Sequence, residues 1–117
     1  MLKCKIHRAT VTKADLNYIG SLTLDEELME LAGLKEFEKI QVLNITNGNR
    51  LETYVIKGKK GSKDVCINGA AAHLVKEKDI IIIAAYYLVD EKKINNYKPK
   101  IIHVNNNNKV ICDLNKS

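Results

Sequence analysis

Gly20 and Ser21 place a nucleophilic hydroxyl directly after a residue that tolerates strained backbone conformations. The hydroxyl of Ser21 can attack the carbonyl carbon of Gly20, which replaces the amide bond with an ester. Elimination of that ester leaves dehydroalanine at position 21, and its hydrolysis with loss of ammonia leaves a ketone, the pyruvoyl group. The dipeptide by itself is a weak signal, because Gly-Ser is also common in ordinary turns.

Arg50 and Tyr54 form a second candidate pair, four residues apart in the strand-like segment 50–57. The two-residue period of a strand predicts that they share one face, and that Thr53 faces the other way unless a bulge intervenes. A guanidinium binds a carboxylate through two parallel hydrogen bonds, and a phenol can deliver a proton. The pair can therefore bind a carboxylate and deliver a proton beside it. The ordinary interpretations are a surface charge after a turn and half-buried packing.

The segments that carry these residues have the pattern of β-strands almost throughout. The strands predicted at 39–46 and 50–57 are joined by the turn Asn47-Gly48-Asn49, a typical hairpin signal. One helix is predicted over 25–33, with Asp25 and Gly33 as its caps and Leu28, Leu31 and Ala32 as its buried stripe. Further strands are predicted at 2–8, 63–68, 98–104 and 109–114, with a strand buried on both faces at 79–89 and a helical turn or small-residue loop at 69–74. Many short strands in a chain of 117 residues predict one domain, a small closed β-barrel.

Composition excludes several classes of protein. With 45% hydrophobic and 28% charged residues, the chain is typical of a soluble globular protein. No run approaches the roughly 20 apolar residues of a membrane span, and the start has no signal-peptide core, so we expect no membrane association and a cytoplasmic location. The net charge of +5 is spread along the chain and aromatic residues are 5%, which is weak support for nucleic-acid binding. Three cysteines and three histidines are scattered, and no metal site is predicted.

Three motifs are more specific in combination than any is alone: YIGS (18–21), TNGNRLETY (46–54) and NGAAAH (68–73). Together they make the sequence resemble the pyruvoyl-dependent aspartate alpha-decarboxylases, bacterial enzymes that make β-alanine for pantothenate and coenzyme A. The matching segments run in the family's order to about residue 90 and are 5–21, 44–56, 61–62, 67–73 and 79–84. The segment after Asp90 contributes no motif.

The resemblance implies a double-psi β-barrel and a homotetramer whose active sites lie between neighbouring subunits. It implies self-cleavage between Gly20 and Ser21 into a β chain of residues 1–20 and an α chain of residues 21–117. The implied cofactor is the pyruvoyl group derived from Ser21, with no metal and no pyridoxal phosphate. The implied reaction is decarboxylation of L-aspartate to β-alanine and CO2 through a Schiff base.

The resemblance also assigns site residues, position by position. It implies Ser21 as the Schiff-base residue and Tyr54 as the proton donor. The implied substrate-binding residues are Lys5, Arg50, Thr53, Gly69, Ala70 and Ala71. Two positions depart from the familiar pattern: Asn17 stands where a histidine is common, and Leu43 stands where a tryptophan can line the pocket.

Two other functions are consistent with parts of the sequence. A small basic β-domain that binds nucleic acid would keep an intact chain, with Ser21 in a structural turn. A serine hydrolase would use Ser21 on external acyl groups, although the chain has no GxSxG motif. Both functions predict a chain that stays intact, whereas a self-cleaving decarboxylase is cut between Gly20 and Ser21.

Overall fold

The structure is a computed structural model, and it describes residues 1–18 and 20–113. The described residues are mainly β, with one α-helix and two 3₁₀ segments, Gly69–His73 and Glu91–Asn96. The elements in chain order are β1 Leu2–Thr10, β2 Lys13–Asp15, β3 Ser21–Asp25, α1 Glu26–Ala32, β4 Lys39–Asn44, β5 Arg50–Gly58, β6 Val65–Asn68, β7 Ile80–Tyr86, β8 Lys100–Val104 and β9 Val110–Asp113. The predicted fold class, mainly β with one or two short helices, is confirmed. Ile19 of the YIGS motif and Leu114 of the predicted strand 109–114 lie outside the described residues.

Nine strands pair in the order β2-β6-β3-β5-β4-β7-β1-β8-β9. Three of these pairs are parallel (β1 with β8, β2 with β6, β3 with β5), and the others are antiparallel. Among the described residues, the pairings form one series that does not join β2 to β9, so closure into a double-psi barrel stays a prediction. The inward faces of the strands form one core that includes Ile6, Leu22, Ile40, Val55, Ile67, Ile83 and Ile102. In the same part of the chain, no helix has the length and hydrophobicity needed to span a bilayer.

The predicted hairpin is formed by β4 and β5. The amide of Asn44 donates to the carbonyl of Asn49 at 2.8 Å, which closes the loop between the two strands. In the antiparallel register, Leu43 is opposite Arg50 and Lys39 is opposite Tyr54, without a register shift between them. Arg50 and Tyr54 therefore share the outer face of the sheet, as the two-residue period predicts.

Helix α1 begins and ends where the sequence predicts. Asp25 is its N-cap, with its carboxylate accepting a hydrogen bond from the amide of Glu27, and Gly33 ends it in the left-handed conformation, with φ of 77°. The buried residues are Leu28, Met29 and Ala32. The predicted stripe was wrong in one position, because Leu31 is only partly buried and Met29 packs in the core instead.

Strand β7 is shorter and more one-sided than the sequence predicts. It ends at Tyr86, although the apolar run continues to 89. Ile81 and Ile83 are fully buried, whereas Ile82 is only half-buried. The prediction of burial on both faces holds only in the middle of the strand, where Ile83, Ala84 and Ala85 are all buried; Ile80 and Ile82 are half-buried, and Tyr86 is exposed.

Candidate active site

Ser21 is the first residue of β3, and its side chain is buried with 1% of its surface exposed. It pairs with Asn68 at the end of β6. The side-chain amide of Asn68 donates hydrogen bonds to the hydroxyl oxygens of Ser21 at 3.1 Å and Thr23 at 2.9 Å. Both amide hydrogens are thereby used, and the position of the Ser21 oxygen is fixed. Asn68 was not among the predicted site residues, although the NGAAAH motif begins with it.

Gly20 opens onto a cleft of about 280 Å³. The cleft is lined by Gly20, Leu51, Glu52, Thr53, Ala70, Ala71 and Leu74. Thr53 faces away from Arg50 and Tyr54, as predicted, because it is opposite the buried Ile40 in the register. That orientation brings Thr53 beside the residue whose carbonyl the serine would attack, so the structure brings Thr53, Ala70 and Ala71 together at Gly20.

Tyr54 lies beside Ser21 in the same chain. Strands β3 and β5 are parallel, and Leu22 is paired with Val55. Ser21 and Tyr54 each precede one of these two residues and are therefore neighbours, about 4.8 Å apart between backbones, on the face opposite the core. The ring of Tyr54 is half-buried and its centroid is 6.4 Å from that of Phe37. A phenol and a serine-derived group can thus meet without any contribution from another chain.

Arg50 does not lie near Ser21 in this chain. It is four positions from Tyr54 along the strand, which is about 13 Å at the usual rise per residue. Arg50 is exposed and shares a shallow groove with Leu43 and Ile82 on the outer face. The departure at position 43 therefore falls directly beside the arginine, because Leu43 is its cross-strand partner.

Lys5 also lies on the outer face, but its strand is distant from the strand that carries Arg50 and Tyr54. It is paired with Ala84 of β7 and Ile101 of β8, and its side chain is half-buried. Strand β1 is three positions from β5 in the sheet, which is about 14 Å at the usual strand spacing. The predicted site residues thus fall into two groups, one around Gly20 and Ser21 and the other spread over the outer face.

His7 lies two residues from Lys5 on the same face. Its ring centroid is 5.0 Å from that of His103, and its Nδ1 is buried without a hydrogen-bond partner in the described residues. Burial, with electrostatic interactions from Lys5, His103 and Arg8, lowers the pKa of His7 below its usual value. The imidazole is therefore neutral near pH 7, and it adds no positive charge beside Lys5.

Cys4 is a buried thiol in strand β1. Burial is the main cause that raises the pKa of Cys4 to about 11, so this thiol is inert at neutral pH. Within residues 1–18 and 20–113, no group of three or more histidine, cysteine, aspartate or glutamate side chains is arranged to hold a metal ion.

Comparisons with known proteins agree along nearly the whole chain. Residues 1–111 match the aspartate decarboxylase family. The chain is 58% identical over 116 residues to aspartate 1-decarboxylase of Caldicellulosiruptor saccharolyticus, covering 99% of this chain and 91% of the relative. It is 57% identical over 111 residues to the enzyme of the same name from Thermoanaerobacter pseudethanolicus, covering 95% of each. A solved structure, the computationally designed protein msDPBB_sym2, aligns with a TM-score of 0.47 and 20% identity over 74% of this chain and 98% of the design, which is too low to assign a fold.

Proposed function

The chain belongs to the aspartate decarboxylase family, and we propose that it is a lyase that converts L-aspartate to β-alanine and CO2. The relatives that match over more than nine-tenths of this chain are named for this activity. The observation that carries the proposal is the buried Ser21 hydroxyl, held by Asn68 directly after Gly20. The β-alanine would serve pantothenate and coenzyme A synthesis.

The active form would arise by self-cleavage of the bond between Gly20 and Ser21. The hydroxyl oxygen of Ser21 attacks the Gly20 carbonyl carbon, and the resulting ester is lost by elimination, which leaves Gly20 as the end of a chain of residues 1–20. Water then releases ammonia from position 21, so that residues 21–117 begin with a pyruvoyl group. In the uncut chain the buried Ser21 hydroxyl is little exposed to an external acyl substrate of a serine hydrolase, whereas the Gly20 carbonyl is the adjacent group of the same chain.

The residues around position 21 fit a pyruvoyl group. The Asn68 amide donates to the oxygen of residue 21, and the cleft beside Gly20 leaves room for a small substrate. A pyruvoyl group supplies a carbonyl that condenses with an amine and accepts the electrons released when a carboxylate leaves as CO2. No metal and no pyridoxal phosphate is needed for that chemistry.

Four side chains of this protein would bind the substrate and move its proton. Tyr54, the neighbour of Ser21, holds the proton for the carbon that loses CO2. Arg50 binds the carboxylate that stays, through a planar pair of hydrogen bonds, and Lys5 adds positive charge. Thr53 lines the cleft with Ala70 and Ala71 and would contact the substrate there, beside the adjoining Gly69.

Arg50 and Lys5 would come from a neighbouring chain. At about 13 Å along the strand from Tyr54, Arg50 is too distant to bind a substrate held at position 21 of its own chain. A second copy that places its outer face over the cleft would bring both groups together. We therefore include a homotetramer with active sites between subunits in the proposal, since cyclic and dihedral homo-oligomers are the usual arrangement of soluble enzymes.

The mass of the purified protein, with its activity, tests this proposal. We expect two chains, residues 1–20 and residues 21–117, the second lacking a free amino terminus, together with β-alanine formation from L-aspartate. Ser21→Ala should remain a single chain and be inactive. A nucleic-acid-binding module would instead show an intact wild-type chain and salt-sensitive binding to DNA or RNA. Decarboxylation by a wild-type chain that stays at 13.2 kDa would disprove the self-cleavage step.

A further inference from the structure

Gly69 has a backbone conformation and an environment that both require glycine. Its φ is +68°, in the left-handed region. A Cβ atom at this position would lie 2.6 Å from both Cα and N of Gly20, and 2.8 Å from the carbonyl oxygen of Tyr18. These are backbone atoms, which cannot rotate away as a flexible side chain can. Gly69 is therefore a point of direct contact between the end of β6 and the segment that precedes Ser21.

Other glycines of the chain do not combine the two features. Gly48 and Gly61 have φ of +80° and +83°, but a Cβ at either position would meet nothing within 4 Å. A Cβ on Gly20 itself would be in ordinary contact, 3.8 Å from the carbonyl oxygen of Asn68. Gly69 and Gly61 thus share a positive φ, but only Gly69 lies against the backbone of Gly20.

The turn at 68–69 contacts both partners of the proposed self-cleavage. Asn68 donates its side-chain hydrogen bond to the Ser21 hydroxyl oxygen, and Gly69 lies against the backbone of Gly20. We propose that Gly69 is a positioning residue for self-cleavage, which holds the Gly20 carbonyl where the Ser21 hydroxyl can attack it. This inference rests on the proposed function and assigns a cause to its first step.

The step requires close and directed approach of two groups. A bond forms between the Ser21 hydroxyl oxygen and the Gly20 carbonyl carbon, the bond from that carbon to the Ser21 nitrogen breaks, and the hydroxyl proton passes to that nitrogen. Intramolecular reactions of this kind depend on a separation of about 3–3.5 Å, and a displacement of about 1 Å can cost about 10²-fold in rate. Relief of a contact at 2.6 Å requires a displacement of about that size. We therefore expect Gly69→Ala to slow cleavage by about 10²-fold.

The experiment compares Gly69→Ala with the matched variant Gly61→Ala in the full chain. Each adds the same methyl group at a positive φ, but only the first meets the Gly20 backbone. Freshly purified precursor is incubated, and the fraction of chain cut after Gly20 is followed by intact mass spectrometry. We expect Gly61→Ala to be cleaved at nearly the wild-type rate and Gly69→Ala to remain largely uncut.

Hydroxylamine identifies the step that is affected. This nucleophile cleaves an ester at Gly20 but not the amide, so it should release residues 1–20 from any precursor in which the attack by Ser21 has occurred. We expect hydroxylamine to cause no additional cleavage of Gly69→Ala after Gly20. Rapid cleavage of that variant after Gly20 in its presence would overturn the proposal, because the attack itself would then be intact.

Thermal unfolding of Gly69→Ala and Gly61→Ala is measured in a Ser21→Ala background, so that all chains are uncut. It distinguishes an effect on the position of Gly20 from an effect on folding. We expect Gly69→Ala to retain a cooperative transition near that of Gly61→Ala. Loss of this transition would overturn the proposal, since Gly69 would then be required for the fold as a whole. So would cleavage of folded Gly69→Ala at the wild-type rate. Failure of the wild-type chain to cleave would instead contradict the proposed function.

Discussion

The site geometry predicts that two variants, each inactive alone, recover activity when they assemble into a mixed oligomer. Ser21→Ala removes the group from which the pyruvoyl forms, and Arg50→Ala removes the carboxylate partner at an estimated cost of about 2–5 kcal/mol, or at least about 30-fold in kcat/KM. Because Arg50 lies about 13 Å along the strand from the neighbour of Ser21, the two residues of one site should belong to different chains. A mixed oligomer of these variants should therefore contain sites in which both residues are present.

The expected recovery follows from random assembly. A complete site needs Ser21 from an Arg50→Ala chain and Arg50 from a Ser21→Ala chain, so equal amounts of the two should give about a quarter of the wild-type number of sites. The two chains are co-expressed with different affinity tags and purified over both tags, and β-alanine formation is measured per site. Separately expressed and purified parents, mixed only in the assay, serve as the baseline.

A second pair of variants gives the opposite expectation. Ser21 and Tyr54 are neighbours on paired strands of the same chain, so mixed oligomers of Ser21→Ala and Tyr54→Phe contain no complete site and should not recover activity. If the pair with Arg50→Ala is no more active than its parents, then Arg50 acts within its own chain and the reasoning from strand distances is refuted. Recovery by the Tyr54→Phe pair would likewise show that the phenol comes from a neighbour.

Three further predictions concern single residues. Tyr54→Phe keeps the ring packing and removes the proton donor, so chain cleavage should be unchanged by mass while β-alanine formation falls about 10²–10⁴-fold; unchanged turnover would assign the proton to another donor. The buried carboxylate of Asp25 accepts hydrogen bonds from three backbone amides at 2.8–2.9 Å. Asp25→Asn replaces one of its acceptor oxygens and should lower the free energy of unfolding, measured in urea, by about 2–4 kcal/mol. The control Asp90→Asn, at an exposed helix cap with one such bond, should lower it by about 1 kcal/mol or less. Iodoacetamide at pH 7.5 should label exposed Cys112 and leave Cys4 unmodified in the folded protein, and modification of both at equal rates would contradict the burial of Cys4.

The prediction for Asp25 also has a pH dependence. Burial alone would raise its pKa, but hydrogen bonds from the amides of Lys63, Glu27 and Gly61 lower it below the usual value. Since the folded pKa is lower than that of the unfolded chain, about 3.9, the carboxylate stabilises the fold above about pH 4 and loses this effect as the pH falls through the folded pKa. Asp25→Asn should therefore show a smaller loss of stability on acidification than the parent chain does.

Local patterns were enough to predict much of the secondary structure. The turn around Gly48 joins two strands because its residues favour tight turns. The helix begins after Asp25 and ends at Gly33 because these residues satisfy the free backbone groups at its two ends. The same reasoning was wrong where burial depends on what packs above a strand. The apolar run 79–89 predicts burial on both faces throughout, but only Ile83–Ala85 are buried without interruption, Ile80 and Ile82 are half-buried, and β7 ends at Tyr86.

The sequence by itself determined the resemblance, the candidate residues and the faces of β5 on which Arg50, Thr53 and Tyr54 lie, because the two-residue period of a strand is a property of the backbone. Only the tertiary structure decided which residues meet. The position of β3 between β5 and β6 brings Ser21 beside Tyr54 and Asn68, and it brings Gly69 against Gly20. These contacts join segments separated by more than 30 residues, so no local pattern predicts them. The same strand order leaves Arg50 and Lys5 far from Ser21, which is the physical reason for expecting a second chain at the site.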